Sequence, residues 1–154
     1  MTQLSDHPRT ILVHGVTPLH SLPRVSDQLG IDLWIKRDDL AGAPFGGNKS
    51  RQLEYYLGHA LAEGADTILI TGAVQSNFIR TAAAAAASLG MQTVVQLEDR
   101  VAGMGARYRQ SGNVMLLNVL GAEVMHYPEG EDEAGADAAL RVRAEELRQQ
   151  GRHP

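Results

Sequence analysis

Two short stretches of the chain carry residue types that could do chemistry. The first is Gly46-Gly47-Asn48-Lys49-Ser50-Arg51. Two glycines let a backbone approach a ligand closely and adopt positive φ. Asn48 can cap the helix that follows. Lys49 then falls in the first helical turn, where the helix dipole disfavours positive charge. An amine favoured in its neutral form is a nucleophile and a Schiff-base former. The second stretch is Gly72-Ala73-Val74-Gln75-Ser76-Asn77, a turn from a β-branched run into a helical one. Side chains and free N–H groups at such a helix start bind carboxylate or phosphate.

Each stretch also has a plainer reading. Lys49 could be an exposed lysine on a solvated helix, with the glycines serving only the turn. Ser76 or Asn77 could be an ordinary N-cap. A nucleotide P-loop fits poorly. Gly42 to Gly47 has the first spacing, but Asn48 intervenes before Lys49-Ser50, and Asp38-Asp39 precede the loop. The six histidines are scattered, with no helical metal-ligand spacing and no clustered carboxylates, so no metal site is expected. The absence of cysteine excludes a disulfide scaffold, a thiolate zinc site and a cysteine nucleophile. It fits a reducing cytoplasm.

The elements that must position these residues follow from periodicity. Residues 11–19 read as a short extended piece ending in a Thr17-Pro18 turn, and 21–29 as a short helix closed by Gly30. Ile31 to Ile35 alternates like a strand, and Lys36 to Asp39 forms its charged end. A loop of three glycines and Pro44 follows. Leu53, Tyr56, Leu57, Ala60 and Leu61 lie at the spacing of an amphipathic helix over about 48–63, stopped by Gly64. Thr67 to Thr71 is a β-branched run expected to be buried on both faces and broken by Gly72. A helix is expected over 75–89, with small residues Ala82 to Ala87 packing closely on a sheet. A strand follows at 93–97, a helix at 108–120, a strand at 123–127, an acidic loop at 129–135 and a final helix. Alternation of helix and strand implies a parallel sheet with helices on both faces. Ligands in such folds gather at the carboxyl ends of the strands.

Composition sets the outer limits. A chain of 154 residues fits one ordinary domain. A net charge of −4 argues against a nucleic-acid partner, which wants a basic face. No apolar stretch approaches the ~20 residues that span a bilayer, and the polar N-terminus is unlike a signal peptide.

The segments HGVTPL, IKRDD, GGNKSRQLEYYL and TGAVQSN, in this order and spacing, resemble the pyridoxal-phosphate-dependent D-cysteine desulfhydrase and 1-aminocyclopropane-1-carboxylate deaminase family. The resemblance spans nearly the whole chain. It implies the α/β three-layer parallel-sheet fold of the tryptophan synthase β-chain group, truncated here to its opening half. Residues 1–50 would be the N-terminal part of the large, cofactor-holding domain. Residues 51–154 would be a nearly complete small domain, and the rest of the large domain would lie beyond Pro154. Two such domains need roughly 300 residues.

The resemblance also implies roles. Lys49 matches the lysine that holds pyridoxal 5'-phosphate as a Schiff base and moves the substrate proton. Asn48 and Asn77 match cofactor-contacting asparagines. Ser76 matches the serine that engages the substrate carboxylate and serves as nucleophile or acid in ring-opening members. Gln75 and Asn77 would complete the carboxylate pocket. The implied reaction is β-elimination from D-cysteine, giving a 2-oxo acid, ammonia and sulfide. A 1-aminocyclopropane-1-carboxylate deaminase or related sulfo-lyase is the alternative within the family. A non-catalytic module binding a small anion, or an inactive truncated fragment, is the alternative outside it. A small amino acid is the expected partner, with a homodimer in the full-length form. Phe78 stands where many relatives carry His or Gln.

Overall fold

The computed structural model describes residues 3–42 and 46–154; Pro44 of the glycine-rich loop lies outside them. Strand β1 (Leu19–Ser21) and strand β2 (Trp34–Lys36) pair antiparallel around helix α1 (Pro23–Leu29). Gly30, with φ 66°, closes α1 in the left-handed conformation, as the sequence leads one to expect. The β2 strand begins later than the Ile31–Ile35 pattern implies. The Ile31 N–H is donated to the Ser26 carbonyl and the Leu33 N–H to the Ser26 hydroxyl, so this stretch is held to the helix end rather than to a neighbouring strand.

Helix α2 (Lys49–Ala62) leads into strand β3 (Thr67–Ala73), helix α3 (Asn77–Ser88), strand β4 (Gln92–Glu98), short helices α4 (Ala106–Gln110) and α5 (Asn113–Val119), strand β5 (Glu123–Tyr127) and helix α6 (Glu133–Gln149). The three later strands form a parallel sheet in the order β3-β4-β5. Alternate residues of a strand face opposite sides. On one side Val95 and Leu97 of β4 pack with Ile79, Ala83, Val114 and Leu117, from α3 and α5. On the other, Gln96 of β4 reaches α6 and donates to the Ala136 carbonyl at 2.8 Å. Helices therefore cover both faces, and the expected three layers are present.

Strand β3 departs from expectation in two ways. It runs through Gly72 to Ala73, because Gly72 pairs opposite Leu97 and Ala73 opposite Glu98. It is also only half-buried over most of its length, because it is the edge of the sheet, while β4 at the centre is buried from Thr93 onward. The alanine run packs as expected, with Ala82 to Ala86 buried.

The face of α2 that is buried is Ser50, Leu53, Glu54, Leu57 and Gly58, whereas Tyr56 and Leu61 are exposed. The helical period is as expected, but the stripe is rotated. The chain at Pro8–Thr10 crosses α2 at Gly58, where any β-carbon would lie 2.6 Å from the Arg9 Cα. Glu54 lies beneath the same crossing segment.

Of the large hydrophobic side chains that are exposed, nine lie within residues 11–40, among them Ile11, Leu19, Leu29, Ile31 and Trp34. Both β1 and β2 are exposed along their whole length. Short, exposed ladders open locally at little cost. In hydrogen exchange the amides of Trp34–Lys36 are expected to exchange fast, while those of Val94–Leu97 exchange only on global unfolding. Equal protection of the two would contradict this.

The two ends of the 66–153 segment meet. The Asp66 N–H donates to the His153 carbonyl at 2.9 Å, the His153 N–H donates to the Asp66 carboxylate at 3.1 Å, and Arg152 donates to the Thr67 hydroxyl at 3.0 Å.

Candidate functional site

The Lys49 loop is fixed from both sides by the Lys36–Asp39 stretch. Gly46 and Gly47 have φ of 61° and 98°, in the region that favours glycine. A β-carbon on Gly46 would overlap the Asp39 carbonyl oxygen. The Gly47 N–H donates to the Asp38 carbonyl at 2.7 Å. The Asp38 carboxylate in turn accepts from Arg51 at 3.0 and 3.2 Å and from the Thr17 hydroxyl at 2.8 Å. Arg51, and then Thr17, hold that carboxyl below its ordinary range. Lys36 donates to the Thr17 carbonyl at 2.5 Å, so the 17–18 turn joins the same network. Arg51 lies two residues beyond Lys49 on α2, so this bidentate pair sets where the helix starts.

Lys49 is the first residue of α2 and its side chain is exposed. Asn48 holds the N-cap position but has helical backbone angles and makes no capping hydrogen bond. The expectation that it caps α2 is therefore not met, and its amide points outward, exposed. Below them the Ser50 hydroxyl is buried and has no partner among the described residues.

The 73–77 turn is built differently. Ser76 is the N-cap of α3 and accepts from the Ile79 N–H at 3.4 Å, as its plainer reading expects. The first-turn N–H groups of Asn77 and Phe78 have no intrahelical acceptor. Gln75, expected beside a ligand, has both ends of its amide engaged within the protein. Its Nε2 donates to the carbonyls of Tyr108 and Ser111 at 2.5 and 2.9 Å, and its Oε1 accepts from the Asn113 N–H at 2.9 Å. This bracket explains why the helix expected over 108–120 is broken. The Ser111 carbonyl is drawn to Gln75, and Gly112 takes φ 59° between α4 and α5. Asn77 is exposed, and Phe78 packs into the core with Leu53 and Ala82. Phe78 is thus a packing residue here.

Both α2 and α3 run antiparallel to β3, so both start at its carboxyl end. Leu53, one turn after Lys49, and Phe78, two residues after Ser76, line the same cavity of about 290 Å³. The first turns of α2 and α3 thus border one cavity against β3, although Lys49, Ser76 and Asn77 do not line it and among the described residues no hydrogen bond links them. A neighbouring cavity of about 390 Å³ is lined by Val74, Leu97, Asp99, Arg109 and His126, with Asp99 paired to Arg109. Among the described residues no three His, Asp or Glu side chains group as metal ligands.

The supporting roles of Asp38, Glu54 and Asn113 are not legible in the sequence, although Asp38 and Glu54 lie within the IKRDD and GGNKSRQLEYYL segments. Each is polar and distant in sequence from what it holds, so periodicity carries no trace of it. Arg51 was visible only as part of a motif.

A model of the pyridoxal-phosphate dependent enzyme family matches residues 11–154. The chain is 40% identical over 151 residues to D-cysteine desulfhydrase of Salmonella paratyphi B and, equally, to that of Salmonella newport. The alignment covers 98% of this chain and 45% of those proteins. Among solved structures, an ACC deaminase homologue superposes with a TM-score of 0.84 at 38% identity, over 98% of this chain and 44% of that one. An O-ureido-L-serine synthase shares the fold, with a TM-score of 0.59 at 20% identity over 88% of this chain and 39% of that one.

Proposed function

Because the chain belongs to the pyridoxal-phosphate-dependent enzyme family, with a tryptophan synthase β-like fold, we propose that residues 1–154 carry the opening half of a lyase acting on a small amino acid. The proposed reaction is elimination from D-cysteine, in which the amino acid and water yield pyruvate, ammonia and hydrogen sulfide. The observation that carries this reading is one cavity bordered by the first turns of two helices, an exposed lysine at the start of one and hydroxyl and amide groups at the start of the other. Similarity to D-cysteine desulfhydrases over 98% of the chain supports the substrate.

The residues present fit the cofactor. Lys49 offers an exposed primary amine after a two-glycine turn that no larger residue could form. Asn48 and Asn77 offer exposed neutral amides. Lys49 would hold the cofactor, with Asn48 and Asn77 contacting its polar atoms. When bound, the cofactor supplies an electron sink for the charge left on the substrate α-carbon. The Lys49 amine, once released, takes the α-proton. The Ser76 hydroxyl, the Asn77 amide and the first N–H groups of α3 receive the substrate carboxylate. Gln75 supports that pocket by holding the 108–113 segment rather than by touching substrate.

Residues 1–50 are proposed to belong to the large domain and 51–154 to the small one. The exposed apolar side chains of 11–40 support this, since they are what a sheet missing its neighbours presents. Cytoplasmic residence is supported by the lack of cysteine. Among the described residues, no helix is long and apolar enough to cross a membrane. A homodimeric full-length form is carried over from the family resemblance. Ring opening of 1-aminocyclopropane-1-carboxylate is the second reading, favoured by the ACC deaminase homologue and by Ser76 at the site.

The test is to add pyridoxal phosphate, reduce with borohydride and map the modified peptide. Modification at Lys49, followed by sulfide release from D-cysteine, is the expected result. Modification at Lys36, the only other lysine of the chain, in place of Lys49 would overturn the assignment. Ammonia from the cyclopropane amino acid without sulfide from D-cysteine would select the second reading.

A further inference from the structure

We infer that Asn113 is a positioning residue, which holds the Asn77 amide with its NH2 end toward the ligand at the carboxyl edge of the sheet. The inference rests on the functional reading above only for what that ligand is. Asn113 Nδ2 donates to the Gln75 main-chain carbonyl at 2.8 Å and to Asn77 Oδ1 at 3.0 Å. A main-chain carbonyl only accepts, so the Asn113 atom facing it is its nitrogen. The Asn77 atom facing that same nitrogen is then its oxygen. The two ends of a planar amide point apart, so the exposed end of Asn77 is its NH2 group. A ligand at this spot meets a donor, which suits an anionic or carbonyl oxygen.

Asn113 is itself held. Its own N–H donates to Gln75 Oε1. The turn before it favours glycine, since Gly112 has φ 59° and a β-carbon there would lie 2.7 Å from that same oxygen. Gln75 and Asn113 thus form a reciprocal pair, each binding the other's main chain with its side-chain amide. The break between α4 and α5 is what aims Asn113 at the ligand-facing turn.

The Asn113→Ala variant keeps the main-chain N–H that binds the Gln75 side chain, so that bracket survives while the Nδ2 bonds to the Gln75 carbonyl and to Asn77 are lost. Two measurements test the inference. In the ligand-free chain, the heteronuclear NOE of the Asn77 side-chain nitrogen is expected to be as high as that of the backbone. In Asn113→Ala it should fall to the level of Asn48. A mobile Asn77 amide in the wild-type chain, or one unchanged by the substitution, would overturn the inference. The second measurement is a double-mutant cycle on pyridoxal phosphate affinity, read from the visible absorption. Asn113→Ala should weaken binding about three- to tenfold, the range of one hydrogen bond, and have no effect in an Asn77→Ala background. Additive effects would also overturn the inference. A rigid Asn77 amide in a chain that develops no Lys49-dependent absorption would support the positioning role and sink the functional reading alone.

Discussion

The Glu54→Ala variant is expected to lose about 2–4 kcal/mol of stability, the cost of leaving two buried main-chain donors without an acceptor. Glu54 is fully buried. One carboxylate oxygen accepts from the N–H groups of Leu12 and Val13 at 2.9 and 2.8 Å, and the other accepts from Arg9 at 2.6 and 2.9 Å. Alanine leaves two buried main-chain donors facing an apolar gap, while the half-exposed Arg9 guanidinium turns to water. For a chain of this size the loss corresponds to a melting temperature lower by on the order of 10 °C. A loss under about 1 kcal/mol by thermal or urea unfolding would show that Glu54 does not anchor the N-terminal segment.

The pH dependence has a definite sign. Burial pushes the Glu54 carboxyl up, but the bonds from Val13, Leu12 and Arg9 outweigh it and hold it below the ordinary glutamate range. A carboxyl lowered by folding contributes its stability above the unfolded-state value and loses it as pH falls from there through the lower folded-state value. The gap between wild type and Glu54→Ala should therefore be widest at neutral pH and narrow in acid.

The second large effect is functional. Lys49→Ala is expected to leave no covalently held pyridoxal phosphate after desalting, and turnover should fall by at least the ~10²–10⁴-fold that a lost general base costs. The fold should be nearly untouched. Lys49 is exposed and makes no hydrogen bond among the described residues, and alanine is the best helix former. Its stability change should lie within about 0.5 kcal/mol. Lys49→Arg keeps the charge and should fail equally, because a guanidinium remains protonated and is a poor nucleophile. Retention of the visible absorption by either variant would move the covalent role to another lysine, and Lys36 is the only other one in the chain.

How far the sequence could be read depended on whether the decisive partner was local. The glycine stops after α1, α2 and α3 are local backbone events, and Gly30, Gly64 and Gly90 all take positive φ. The βαβ alternation was legible because Thr67–Thr71 and Thr93–Leu97 carry their strand preference in their own side chains. The buried face of α2 was half legible. Leu53 and Leu57 follow the apolar rule, but Glu54 is inside because two N–H groups more than 40 residues away in sequence need an acceptor. Strand β1 was missed because three residues hold too little pattern, and its partner lies across α1. The helix at 108–120 was read as continuous because Gln75, which breaks it, lies on another element. Gln75 was read as a ligand contact for the same reason. The motif it belongs to suggests a ligand contact, but carries no sign that its amide turns toward the 108–113 segment.

The hydrogen bonds between Asp66 and His153 bring the two ends of the sheet unit to one point. The same adjacency makes the unit a natural subject for circular permutation, with old ends joined at Asp66 and His153 and new ones opened in the acidic loop.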